Sequence, residues 1–156
     1  MSDTVTGRWD DAMRQALNLA REALSAGDIP VGAVVVDGGG RVLGSGHNVR
    51  ERDHDPTGHA EMVALRGAAQ SRGRWRLDGC TLVATLEPCT MCAGATVLSR
   101  VERLVFGAYD AKAGAVGSMW DVVRDRRLNY RPEVVGGVLA ADCQALLRDW
   151  FDDRRA

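Results

Sequence analysis

Residues 80–92 read Cys80-Thr81-Leu82-Val83-Ala84-Thr85-Leu86-Glu87-Pro88-Cys89-Thr90-Met91-Cys92. The first seven form a largely apolar run of strand length and read as a buried strand. Pro88 then opens a helix at Cys89, because proline is tolerated in a first turn, where its missing N–H is not needed. Ala93, Gly94 and Ala95 follow, and such small side chains let a helix approach a sheet closely. A buried strand running straight into a helix is the mark of a layered α/β fold.

The same alternation extends in both directions. Downstream, residues 101–107 make a third core strand. A long connection over 108–132 carries a short predicted helix around Met119 to Val123. Residues 133–138 make a last strand, and a final amphipathic helix carries Leu139, Cys143, Leu146, Leu147 and Trp150. Upstream, Trp9, Met13, Ala16, Leu17, Ala20 and Leu24 recur at helical spacing, with Gly27 as the stop. Residues 31–36 read as a buried strand, Asp37-Gly38-Gly39-Gly40 as a turn, and 41–48 as the antiparallel return. These glycines lack a following Gly-Lys-Ser/Thr, so they indicate a hairpin and not a phosphate loop. After a polar loop from Val49 to Gly58, a helix begins at His59, with Ala60, Val63 and Ala64 on its apolar face. The expected fold is a three-layer α/β/α sandwich. Its five-stranded sheet is mixed and mostly parallel, with the hairpin as an antiparallel edge.

With 156 residues, 46% of them hydrophobic, the chain suits one domain spanning 1–156. A net charge of -1 argues against a polybasic protein that binds nucleic acid by bulk charge, but not against a local basic patch. Lys112 is the only lysine among 20 basic residues. The first reading of the arginine excess is the nucleotide composition of the source genome; a second is that arginine suits bidentate phosphate contacts, and the count does not separate them. No apolar run approaches the roughly 18 residues of a membrane span. The start, Met1-Ser2-Asp3-Thr4, does not resemble a secretory signal. No membrane association and a cytoplasmic location are therefore expected. Cys80, Cys89, Cys92 and Cys143 are then poor candidates for a disulfide framework.

The chemistry-bearing residues are His59-Ala60-Glu61 and Pro88-Cys89-Thr90-Met91-Cys92, each at the start of a predicted helix. Two cysteines three apart in one helical turn can aim both sulfurs at one ion, and the positive end of the helix dipole favours their thiolates. His59 would add a nitrogen from the neighbouring helix. Three protein ligands with an open fourth position describe a catalytic zinc site. Glu61, two residues after His59, diverges from it on a helix, so it is placed to move protons beside a zinc-activated water. Three other readings stand beside this one. The cysteine pair fits a thioredoxin-like redox site, which leaves His59 and Glu61 unexplained. A closed structural zinc site could take Cys80, Cys143 or His54 as a fourth ligand. Finally, His59 could be an ordinary histidine at a helix start.

Together these residues match the H-x-E and P-C-x-x-C signature of zinc-dependent nucleobase deaminases. Three stretches extend the likeness: His54-Asp55-Pro56-Thr57-Gly58-His59-Ala60-Glu61, Thr85 to Ala95, and Phe106-Gly107-Ala108-Tyr109-Asp110-Ala111-Lys112-Ala113-Gly114-Ala115-Val116-Gly117-Ser118. With them the chain resembles the bacterial tRNA-specific adenosine deaminases of the cytidine/deoxycytidylate deaminase superfamily. The likeness covers most of the chain, and the third stretch separates this family from other deaminases.

The resemblance implies a cytidine-deaminase-like fold working as a homodimer. It implies hydrolytic conversion of adenosine to inosine at the wobble position of a tRNA anticodon. By position, His59, Cys89 and Cys92 would bind one Zn2+ per subunit, with Glu61 as the catalytic proton shuttle. Asn48 and the backbone near Ala60 would bind the flipped base. Asp110 would contact the ribose or adjacent backbone. Phe151, Arg154 and Arg155 would help hold the anticodon arm. Further RNA contacts would come from Arg50 and Arg52, Arg72 to Arg76, and Arg124 to Arg131. Asp149, Asp152 and Asp153 interrupt a tail that is more basic in the family. The alternatives are a zinc-dependent deaminase of a free base or nucleoside, such as guanine or cytosine, and, more distantly, a redox or structural zinc-thiol protein.

Overall fold

A computed structural model describes residues 7–155, with only the backbone of Arg155. Helix α1, Asp10–Ser25, follows a single 3-10 turn at Gly7–Trp9. Asp10 and Asp11 sit in its first turn, where the helix dipole favours negative charge. Its apolar stripe buries Met13, Ala16, Leu17, Ala20 and Ala23. Gly27, at φ 84°, takes the left-handed turn that ends it.

Strands β1, Gly32–Val36, and β2, Val42–His47, form the expected hairpin. In its turn, Asp37 Oδ1 accepts the N–H groups of Gly39 and Arg41, both at 2.9 Å. The polar loop that follows contains one short helix, α2, Arg50–Asp53. Helix α3, Ala60–Arg72, leads into β3, Thr81–Leu86, and β3 leads into α4, Thr90–Leu98. Strands β4, Arg103–Ala108, and β5, Glu133–Val135, complete the sheet before α5, Ala140–Arg155. No helix among the described residues is long and apolar enough to cross a membrane.

The five strands lie in the order β2-β1-β3-β4-β5. The sheet is mixed, as expected: β2, β3, β4 and β5 run in one direction, and β1, the second strand in, opposes them. β3–β4 and β4–β5 are parallel, whereas β1 is antiparallel to both β2 and β3. The cause is topological. The crossover through α3 returns the chain in the direction of β2, and β1 lies between β2 and β3 with the opposite sense.

Alternate β1 residues feed the two cores. Val34 and Val36 face α1 and α5, in a cluster with Trp9, Met13, Val83, Val105 and Cys143. Ala33 and Val35 face α3 and α4, in a cluster with Ala60, Ala64, Leu82, Ala93 and Phe106. Glycine lets α3 press onto β2. A Cβ at Gly44 would strike the Ala64 carbonyl and lie 2.5 Å from the Ala68 nitrogen.

Two expectations change. No helix forms around Met119 to Val123, where the chain makes turns and one isolated bridge, Val116 to Asp121. Gly117, at φ 124°, breaks the periodicity there. The strand expected over 133–138 stops at Val135, because Gly136 and Gly137 turn the chain, with Gly137 at φ 85°.

Candidate active site

One rim of the sheet collects the ends of β2, β3 and β4 and the beginning of β1. The crossover geometry brings the N-termini of α3 and α4 to this same rim. His59 is the N-cap of α3 and Cys89 the N-cap of α4. Residues such as Ser or Asp usually hold these positions and bond the free helix amides. Neither side chain does so here. They turn toward each other instead: His59 Nδ1 lies 3.6 Å from both Cys89 Sγ and Cys92 Sγ.

The ligand atoms of His59, Cys89 and Cys92 lie within 4.8 Å of one another. His54, Cys80 and Cys143 are not part of this group. Cys80 and Cys143 are buried core residues, the latter against Gly107. Two sulfurs and an imidazole nitrogen are the donor chemistry that suits zinc. The group therefore fits a metal held by three protein ligands.

Electrostatics here are strongly perturbed. The Cys89 thiol is pulled down to about 3, chiefly by its hydrogen bond with Cys92 and against the effect of burial; His59 contributes further. Cys92 is pushed far up by the same contact, then by burial and by Glu61. His59 is raised by its hydrogen bond to Cys89. Glu61 is 4% exposed, and burial raises its carboxyl above the ordinary range. A buried carboxyl raised in this way is suited to holding a proton and passing it on.

A cavity of about 190 Å3 opens over this group, lined by His59, Glu61, Cys89, Asn48, Arg50 and Asp110 among others. Asn48 is buried and fixed, because its Oδ1 accepts the Ala60 N–H at 2.9 Å. That bond occupies the Ala60 amide and leaves the Asn48 amino group to serve as donor. Arg50 lies on the wall with its Nε buried and without a hydrogen-bond partner. Asp110 Oδ1 accepts the N–H groups of Lys112 and Ala113 at 3.0 and 3.2 Å.

The other expected residues lie outside this cavity. Phe151 is exposed and lines an adjoining hollow with Tyr109, Lys112 and Leu147, joined to the first through Ile29, Leu86 and Asp110. Arg154 is engaged within the chain. Its guanidinium lies 3.4 Å from the centre of the Trp150 ring, and its Nη2 donates to Gly27 O at 3.4 Å. The side chain of Arg155 lies outside the described residues. Many candidate RNA-binding arginines pair locally with aspartate: Arg52 with Asp53, Arg74 and Arg76 with Asp78, Arg124 with Asp121, and Arg127 with Asp125.

Glu87 is not among the residues that sequence reasoning singles out. It is 2% exposed on the cavity wall. A glutamate before proline at a strand end reads as solvent-facing, and no local pattern reveals partners 23 to 31 residues downstream.

The family of the cytidine and deoxycytidylate deaminase zinc-binding region matches residues 8–108. A tRNA-specific adenosine deaminase of Haemophilus influenzae is 50% identical over 97% of this chain and 88% of its own length. A tRNA(Ile)-lysidine synthase of Deinococcus deserti is 51% identical over 94% of this chain, which spans only 27% of that longer protein. A solved structure from studies of A-to-I editing by tRNA:A34 deaminases at the wobble position of transfer RNA superposes with a TM-score of 0.84. It has 38% identity, over 88% of this chain and 99% of that one. The chain belongs to the cytidine and deoxycytidylate deaminase family, and the helix starts that carry His59 and Glu61 lie within its zinc-binding region, as do Cys89 and Cys92.

Proposed function

We propose that the protein is a zinc-dependent tRNA adenosine deaminase that converts adenosine to inosine at the anticodon wobble position. The observation that carries this is the buried Glu61 beside the His59, Cys89 and Cys92 group, at the base of a cavity only about 190 Å3 in size. The likeness to the Haemophilus influenzae deaminase and to the wobble-position editing structure supports RNA as the substrate.

His59, Cys89 and Cys92 would hold one Zn2+ per subunit. When bound, the ion supplies the Lewis acidity that makes water a nucleophile at neutral pH. Glu61 takes a proton from the attacking water and delivers it to the ring nitrogen beside C6. It then takes the proton of the hydroxyl now on C6 and gives it to the amine; the C6–N bond breaks, C6 keeps a carbonyl oxygen, and ammonia leaves. The Asn48 amino group donates to the flipped base, and the Ala60 backbone acts by fixing Asn48. Asp110 meets the ribose or adjacent backbone at the cavity mouth. Phe151 stacks beyond it, on a neighbouring part of the anticodon arm. Arg50 is suited to a phosphate, because its guanidinium edge has an unfilled donor.

We read residues 1–156 as one catalytic domain that works as a homodimer. A shallow apolar groove across α3 and α4 supports this, with Met62, Leu65 and Ala95 between the exposed Trp75 (61%) and Leu98 (69%). A tRNA substrate puts the protein in the cytoplasm. The test compares an anticodon-arm RNA with free adenosine, guanine and cytidine as sources of ammonia. The RNA should be strongly preferred. Equal or better turnover of a free base or nucleoside contradicts the assignment.

A further inference from the structure

The loop from Tyr109 to Ser118 has no regular secondary structure of its own, apart from the bridge at Val116, yet it forms one wall of the cavity. One buried carboxylate organises it. Glu87 Oε1 accepts the Asp110 N–H at 3.0 Å and also the Ser118 hydroxyl. Glu87 Oε2 accepts the N–H groups of Val116 at 2.9 Å and Ser118 at 3.1 Å. Four donors thus converge on one anionic group, and hydrogen bonds to a charged acceptor are the strong kind. The backbone joins in: Glu87 N donates to Ala108 O, and Ala115 N donates to Pro88 O, both at 2.8 Å. Gly114 packs against the carboxylate so tightly that a Cβ there would strike Glu87 Cδ.

We propose that Glu87 is a positioning residue for substrate: by gathering the 110–118 amides it fixes where Asp110 stands at the cavity mouth. This rests on the deaminase reading above. Two features favour a role in substrate placement over one in the metal group. The loop contributes no ligand to that group, which the starts of α3 and α4 build without it. It does contribute Asp110 and Ala113 to the cavity, and Asp110 also borders the hollow that holds Phe151. Small displacements of such a wall cost substrate binding and orientation steeply.

The test is kinetic, with an anticodon-arm RNA as substrate. Glu87→Gln keeps the size of the side chain but turns an amino group toward N–H donors. It should retain zinc by elemental analysis, raise KM about tenfold or more, and lower kcat by a smaller factor. Ser118→Ala removes one donor and should raise KM by less. Asp110→Ala should cost less in the Glu87→Gln background than alone, because both changes act through one wall. An unchanged KM in Glu87→Gln overturns the proposal, as do loss of zinc or full additivity with Asp110→Ala. Should Glu87→Gln fail to fold, Ser118→Ala decides, and an unchanged KM there also overturns it. An active wild type with a normal Glu87→Gln sinks this proposal alone. A wild type that deaminates no RNA and no nucleoside sinks the functional reading and this proposal with it.

Discussion

Cys80 and Cys143 share a side chain with Cys89 and Cys92 but not a chemistry. Burial pushes the Cys143 thiol up to about 11 and also raises Cys80, whereas Cys89 is half-buried at a helix start and anionic. Reactivity follows thiolate character and access. In the folded, metal-free protein a thiol reagent at neutral pH should modify Cys89, and leave the buried Cys92, Cys80 and Cys143 until the chain unfolds. Mapping the labelled peptides checks this, and early labelling of Cys143 contradicts it. The separation of these cysteines is legible in the sequence, because the 89–92 pair precedes a small-residue helix and the other two sit on apolar elements. Glu87 is not legible. Its partners, Asp110, Val116 and Ser118, meet it only once β3 and β4 pair.

Strand β2 illustrates the same limit for elements. Its alternation is weak, since the positions that face α3 are Gly44 and Gly46, where a glycine reads as a weak strand former. Their use emerges from packing. The missing side chains admit the backbone of α3 at Ala64 and the Val63 side chain. Gly44→Ala should therefore destabilise the protein by about 1–3 kcal/mol or more, as overpacking does where backbone cannot yield. Thermal denaturation should show a lower Tm, and an unchanged Tm would mean that the two elements separate easily. The expected helix around Met119 to Val123 fails for the opposite reason. An apolar pattern is present, but the preceding amides of Val116 and Ser118 are taken by Glu87 and Gly117 holds a positive φ. Antiparallel β1–β3 pairing could not be read locally, because strand direction is set by the order in which distant strands assemble.

At the scale of the whole molecule, a net charge of -1 conceals a surface where several arginines are held by nearby aspartates. Arg76 hydrogen-bonds Asp78 and, with the charges of Arg74 and Arg72, keeps its carboxyl below the usual range against slight desolvation. Asp125 is lowered likewise, first by the Arg127 side chain and then by that residue's backbone N–H. A carboxylate depressed in the folded state adds stability above its unfolded value, about 3.9, and loses it as pH falls through the folded value. The stability that these aspartates supply should accordingly be constant from pH 7 to about 5 and fall below about 4, with the Tm following it there. Asp78→Asn should lose part of that fall. An acid limb identical to wild type contradicts the assignment. The proposed chemistry at the sheet rim rests on Glu61 as a proton carrier beside a metal that His59, Cys89 and Cys92 would hold. The most direct measurement compares zinc-loaded wild type and Glu61→Ala by inosine formation at the wobble position of tRNA, read by sequencing, with zinc content measured on the same samples. Wild type should form inosine there, and Glu61→Ala should retain its zinc and lose about 10²-fold or more in turnover. Inosine formation by Glu61→Ala at the wild-type rate, or none by the wild type, contradicts the account.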